Sequence, residues 1–176
     1  METHLQVEIP EADEKFEKAM IDFLECCVEF SEVSEDLLQL AITKIDEVLK
    51  TYGETFSFEF WKTIFKGVLK PLIDNINFLF QQKQSRKQQK HKRRKQKDPL
   101  KVICEQAFKN MVTLFDQYYD NLYLLLEDFI EVLTSIIQNS HEAIAKISIQ
   151  SFKALIMKIG PKLQERDWDF IITTIE

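Results

Sequence analysis

The chain has 176 residues, a net charge of −6, 45% apolar and 30% charged residues, and only three glycines and four prolines. That length buries a real core, and so little glycine and proline favours helices over a turn-rich β fold. Cys26, Cys27 and Cys104 form no C-x-x-C pair, and Glu2 and Glu8 interrupt the first ten residues, so free thiols in a reducing compartment and no secretory leader are expected. The most apolar stretch, 122–137, is cut by Glu127, Asp128 and Glu131 and falls short of the roughly 18 uncharged residues of a membrane span.

In chain order, Phe16, Met20, Phe23, Cys27 and Phe30 recur at spacings of four and three, which draws one apolar stripe down a helix over 11–30. Cys26 and Cys27 read as small core residues on it. Ser34 is placed to cap the next helix, whose Leu38, Ile42, Ile45, Leu49 and Tyr52 share a face. That helix stops at Gly53, where glycine suits a C′ position at positive φ. Ser57 can cap a third helix bearing Phe60, Trp61, Ile64, Phe65, Val68, Leu69, Leu72 and Ile76. Pro71 lies inside it, so a kink or break is expected near 67–70, with the helix resuming to about 80.

Asp98 and Pro99 pair an acidic cap with proline at the first helical position, opening a fourth helix with Ile103, Ala107, Met111, Leu114 and Tyr118. Asp120 and Asn121 give a weak break before a fifth helix over 122–138. It is apolar around most of its circumference and so needs neighbours on several sides. Ser140 can cap a sixth helix that ends at Gly160 and Pro161. A seventh begins near Glu165 and is still adding apolar residues, Phe170, Ile171, Ile172 and Ile175, when the sequence stops at Glu176, which reads as a fragment, a piece of a longer gene, or a subunit that pairs with more solenoid.

Gly53 and Trp61 recur as Gly160 and Trp168, each displaced by 107 residues, and Ile42, Ile45, Leu49 and Tyr52 map at that offset onto Ile149, Phe152, Ile156 and Ile159. A repeat of apolar positions and breakers means one packing unit used twice. The offset spans two helix pairs plus an insertion. Removing the 17 residues 81–97 leaves 90, or 45 per pair, within the ~40–47 residue length of HEAT and armadillo units. The expected fold is all-α, a short HEAT/armadillo-like solenoid of about seven helices, with helical repeats over 11–80 and 98–176 and a basic low-complexity loop over 81–97. Trp61 and Trp168 are expected in the repeat core, with a partner-binding hot spot as the alternative.

Within 81–97 lie Lys83, Arg86, Lys87, Lys90, Lys92, Arg93, Arg94, Lys95 and Lys97 and no acid, so the rest of the chain carries −15. A tract made of Gln, Lys, Arg, Ser and His buries too little apolar area to offset the entropy of ordering, and it reads as a mobile loop. Three uses stay open: a solvated insertion without a ligand, contact with an anionic membrane or other anion, and nuclear import or nucleic-acid binding. No aromatic residue interleaves it, and the remainder is acidic, which weighs against nucleic acid.

No catalytic constellation is legible. His4, His91 and His141 stand apart from assembled partners, and the sequence has no glycine-rich phosphate loop, H-E-x-x-H or nucleophile elbow. Glu127, Asp128 and Glu131 read as the wet edge of the fifth helix. No catalytic residue, cofactor or metal is expected.

The segment from Phe60-Trp61 to Pro71-Leu72-Ile73-Asp74 resembles a helix downstream of the catalytic module in large Arf guanine-nucleotide exchange factors, the brefeldin-A-inhibited proteins of the Sec-seven class. Asp116-Gln117-Tyr118-Tyr119-Asp120-Asn121-Leu122 resembles the helix that follows, and Gly160 to Trp168 the next glycine-to-tryptophan turn. The resemblance covers about 37–176; the lysine-rich insertion departs from it. It implies a regulatory α-solenoid that contacts an Arf-family GTPase or other regions of the exchange factor, cytoplasmic and peripheral at trans-Golgi membranes. It implies no catalytic role, because the family's exchange module has no counterpart here.

Overall fold

The computed structural model describes residues 11–87, 98–139 and 142–175. Among them the structure is all-α, with no strand. Its helices are α1 (Glu11–Ser31), α2 (Glu35–Tyr52), α3 (Phe58–Ile64), α4 (Lys70–Lys87), α5 (Pro99–Gln117), α6 (Tyr119–Leu122), α7 (Leu126–Asn139), α8 (Glu142–Ile159) and α9 (Glu165–Ile175). A π turn, Phe65–Leu69, joins α3 to α4, and a 3₁₀ turn, Tyr123–Leu125, joins α6 to α7, so the nine segments form seven rods. No helix is long and apolar enough to cross a membrane among the described residues.

The caps follow the sequence. Ser34 Oγ accepts from the Leu37 amide at 3.3 Å, Ser57 Oγ from Phe60 at 3.1 Å, and Asp98 from Leu100 at 3.3 Å ahead of Pro99. Pro71 breaks nothing outright. Its ring would crowd the carbonyl four residues back, and the chain widens into the π turn just before it, with the Lys70 amide reaching the Phe65 carbonyl.

Four expectations are corrected. Gly53 does not adopt positive φ; it is right-handed at φ −57° and begins a 3₁₀ turn. The third rod does not end near 80: α4 runs to Lys87, because Gln, Lys and Arg propagate a helix already nucleated, and only 88–97 of the basic tract lies outside the described residues. On α1 the buried row is Met20, Leu24 and Val28, while Phe16, Phe23 and Phe30 are exposed. Cys26 is exposed as well, and only Cys27 of the pair packs against the core. The spacing was helical, but two apolar rows compete on this helix, and the one facing α2 and α4 is the one covered. Ser140 and its proposed cap lie outside the described residues.

α5 is the central element, packed between α2 and α8, with α7 also against α8. Its Ile103, Ala107, Met111 and Leu114 are buried, as is Tyr118 at its C-cap. One polar bridge ties α1 to α4 inside the core: Asn75 Nδ2 donates to Val28 O at 3.1 Å and to Ser31 Oγ at 2.9 Å. Satisfying this buried amide avoids the ~1–3 kcal/mol cost of an orphaned donor and fixes the register of the two helices.

Candidate functional site

The glycine-to-tryptophan turn is a lock between α2, α3 and α5. Trp61 is 0% exposed, and its indole N–H donates at 3.2 Å to Gly53 O, a carbonyl past the end of α2 that also accepts from the Phe56 amide at 3.3 Å. Tyr118 lies against the indole with ring centroids 5.3 Å apart, and its hydroxyl donates to Lys50 O at 3.0 Å. Glycine is needed because of this approach. A Cβ at position 53 would sit 2.7 Å from two Tyr118 ring carbons and 2.8 Å from Trp61. The sequence flagged the glycine and the tryptophan but not their third member, since Tyr118 reads there only as one more apolar position of its helix.

The second copy has the same backbone but a different exterior. Each glycine starts a 3₁₀ turn, Gly53–Thr55 or Gly160–Lys162, that ends in an extended residue, Phe56 or Leu163. Trp168, however, is 36% exposed, and its indole N–H makes no hydrogen bond among the described residues. Tryptophan as a core residue therefore holds for Trp61 and fails for Trp168, whose ring has no Tyr118 equivalent over it among the described residues. The start of α9 is held differently: Asp167 accepts from the Gln164 amide at 2.8 Å and from Tyr123 Oη at 3.0 Å.

The aligned ladders also part in burial. Ile42, Ile45 and Leu49 are buried on α2, whereas Ile149 is exposed and Phe152 and Ile156 only half-buried on α8. Of that ladder only Ile159 is buried, and its row on α8 is Ile144, Ile147, Ser151, Leu155 and Ile159. At the same offset this row corresponds to Leu37, Leu40, Lys44, Val48 and Tyr52, part of it exposed. With Phe23, Cys27 and Phe30, the first three of these line a groove of about 470 Å³ between α1 and α2. The molecule thus presents two apolar faces, one beside α1 and one beside α9. These are its candidate contact surfaces.

The basic tract is represented by Lys83, since the side chains of Arg86 and Lys87 and all of Lys90, Lys92, Arg93, Arg94, Lys95 and Lys97 lie outside what is described. Lys83 Nζ is 2.7 Å from Glu35 and 2.6 Å from Asp98. Burial alone would lower its pKa, but hydrogen bonds to Asp98 and Glu35 hold it above the usual lysine range. Lys83 is therefore a stem residue committed to two carboxylates. Asp128 and Glu131 are exposed and, with Lys66, Lys70 and Asp74, rim a groove of about 400 Å³ between α4 and α7 that Phe65, Ile73, Val132 and Ile136 also line. Among the described residues no group of three or more His, Cys, Asp and Glu is placed to hold a metal. His4, His91 and His141 lie outside the described residues.

Fold and surfaces together define an all-α protein of paired helices whose distinctive residues serve packing. No family model matches the chain, and no solved structure does. It is similar to large exchange factors in three kingdoms. The ADP-ribosylation factor guanine nucleotide-exchange factor SEC7 of Saccharomyces cerevisiae is 26% identical over 162 residues, 89% of this chain and 8% of the yeast protein. Brefeldin A-inhibited guanine nucleotide-exchange protein 2 of Arabidopsis thaliana is 23% identical over 152 residues, 82% of this chain and 8% of its own length. The human Brefeldin A-inhibited guanine nucleotide-exchange protein 1 is 24% identical over 135 residues, covering 76% of this chain and 7% of its own. The chain thus spans about 8% of the length of the first two relatives.

Proposed function

We propose that this chain is a noncatalytic, HEAT-like segment of a large Arf guanine-nucleotide exchange factor, regulating exchange by protein–protein contact at Golgi membranes. The observation that supports the reading is the similarity to such factors along most of the chain. The geometry agrees with a contact role, because the unusual residues are spent on locking helices together and the open apolar surfaces are helix faces. The mechanism is steric and allosteric: a docked GTPase or another region of the factor changes how the helical segment sits against the exchange module.

Release of fluorescent GDP from an Arf GTPase tests the first half. The chain alone should leave the intrinsic rate unchanged, and acceleration by it would overturn the noncatalytic reading. Biolayer interferometry on the immobilised chain tests the second half, against Arf loaded with GDP or GTP and against the remaining regions of an exchange factor. Saturable binding to one of them is expected, and no binding to any would end the contact reading. A tagged chain should colocalise with a Golgi marker in cells; a nuclear distribution instead would refute the proposed location.

A further inference from the structure

Among the described residues, Gly160 has no structural reason to be glycine. Its backbone lies outside the left-handed range, and among the described residues a Cβ there would meet only Trp168, at 3.5 and 3.6 Å, an ordinary contact. The reason exists in the other copy, where the position is kept bare by the ring of Tyr118 from the helix that follows. The rest of the seat follows the same rule. Ile42 and Phe65 are 3% and 5% exposed, while their equivalents Ile149 and Ile172 are 51% and 54% exposed. Phe65 and Trp61 are covered by Met111, Leu114 and Phe115 of α5 and by Phe129 of α7. The open face beside α9 is thus the next register of an interface already formed once inside the molecule.

We propose that Gly160, Trp168, Ile172 and Ile149 form a docking seat for a protein helix of α5's chemistry. That helix carries a tyrosine laid against Gly160 and Trp168, with large apolar side chains three, four and seven positions before it, as Phe115, Leu114 and Met111 stand to Tyr118. The tyrosine hydroxyl donates to the Met157 carbonyl, the counterpart of Lys50 O, which accepts from Tyr118 at 3.0 Å. The indole N–H of Trp168 turns to the Gly160 carbonyl, as that of Trp61 does to Gly53. Burying the tryptophan face and a paired tyrosine hydroxyl together makes an aromatic anchor of the kind that dominates helix docking. The inference rests on the internal repeat and not on the Arf reading, so the exchange and binding assays above can fail without touching it.

The test extends the full chain by its own residues 70–139 placed after Glu176, which continues the 107-residue register. Acrylamide quenching of tryptophan fluorescence reads the result. In the natural chain Trp168 is the quenchable component and Trp61 the shielded one. In the extended chain the quenchable component should vanish and Tm should rise. Gly160→Ala should leave Tm of the natural chain within about 2 °C yet restore quenching in the extended chain, as should Ala in place of the appended tyrosine. Persistent quenching in the extended chain, or insensitivity to Gly160→Ala, overturns the proposal. So does quenching that fades with concentration in the natural chain alongside dimer sedimentation, which would assign the seat to a second copy.

Discussion

Replacing Gly53 by alanine tests the account of the first lock. The new methyl would lie 2.7 Å from Tyr118 and 2.8 Å from Trp61, closer than Cβ atoms come to such atoms in real structures. Neither ring yields easily, since the indole is fully enclosed and bonded to Gly53 O at 3.2 Å and the phenol is tethered to Lys50 O at 3.0 Å. Overpacking of this kind costs about 1–3 kcal/mol. Weakening one of the two tethers adds about 1 kcal/mol. Against this, alanine at a right-handed position recovers about 0.4–1 kcal/mol by restricting the unfolded chain. The net expectation is a loss of about 2 kcal/mol, which for a domain of this size lowers Tm by roughly 4–8 °C. Urea unfolding followed by circular dichroism reads it as a lower midpoint at unchanged m. An alanine variant as stable as the parent would refute the reasoning, because the entropic gain would then be acting alone.

Truncating the two tryptophans should separate the copies: Trp61→Ala costs about 3–5 kcal/mol in urea unfolding, whereas Trp168→Ala costs about 1 kcal/mol, and equal losses would contradict the difference in burial. The hydrogen bond from Lys158, with the charges of Lys158 and Lys162, holds the Asp116 carboxyl below the usual carboxylate range. A depressed carboxylate pKa contributes stability that is present above the unfolded value and lost as pH falls through the folded one, so this contribution acts at the acid end. In Lys158→Met the Asp116 resonance should titrate at higher pH by NMR; an unmoved titration would dismiss the ion pair. Burial, with Glu105 nearby, pushes the Cys104 thiol up to about 12, while Cys26 is exposed. A maleimide at pH 8 should therefore label Cys26 first and Cys104 only after unfolding, and comparable native rates would show that the α5 core opens readily.

Much of the fold was legible because its punctuation is local. Ser34, Ser57 and Asp98 act within three residues of themselves, so spacing alone locates them. Rotation of α1 was not legible, because Met20-Leu24-Val28 and Phe16-Phe23-Phe30 are both helical rows and only the neighbours decide which is covered. The role of Gly53 was misread for a related reason: a glycine ending a helix suggests backbone freedom, whereas here a ring from 65 residues further along, Tyr118, sets the requirement. Periodicity found the seat partners, Gly160 and Trp168, but could not tell that their surroundings differ from those of the first pair. That difference lies in the cover that α5 and Phe129 give the first pair, and no residue in the motif reports it.

The clasp of Lys83 on Glu35 and Asp98 sets where variation can enter this molecule. It pins the last turns of α4 and the start of α5 to a common point, so the two helix ends meet there whatever chain joins them. The free-energy cost of such a join rises by only about 0.6 kcal/mol for each doubling in length. Loss of the Lys83 ammonium would therefore release both helix ends at once and take from Glu35 and Asp98 the counter-charge they share.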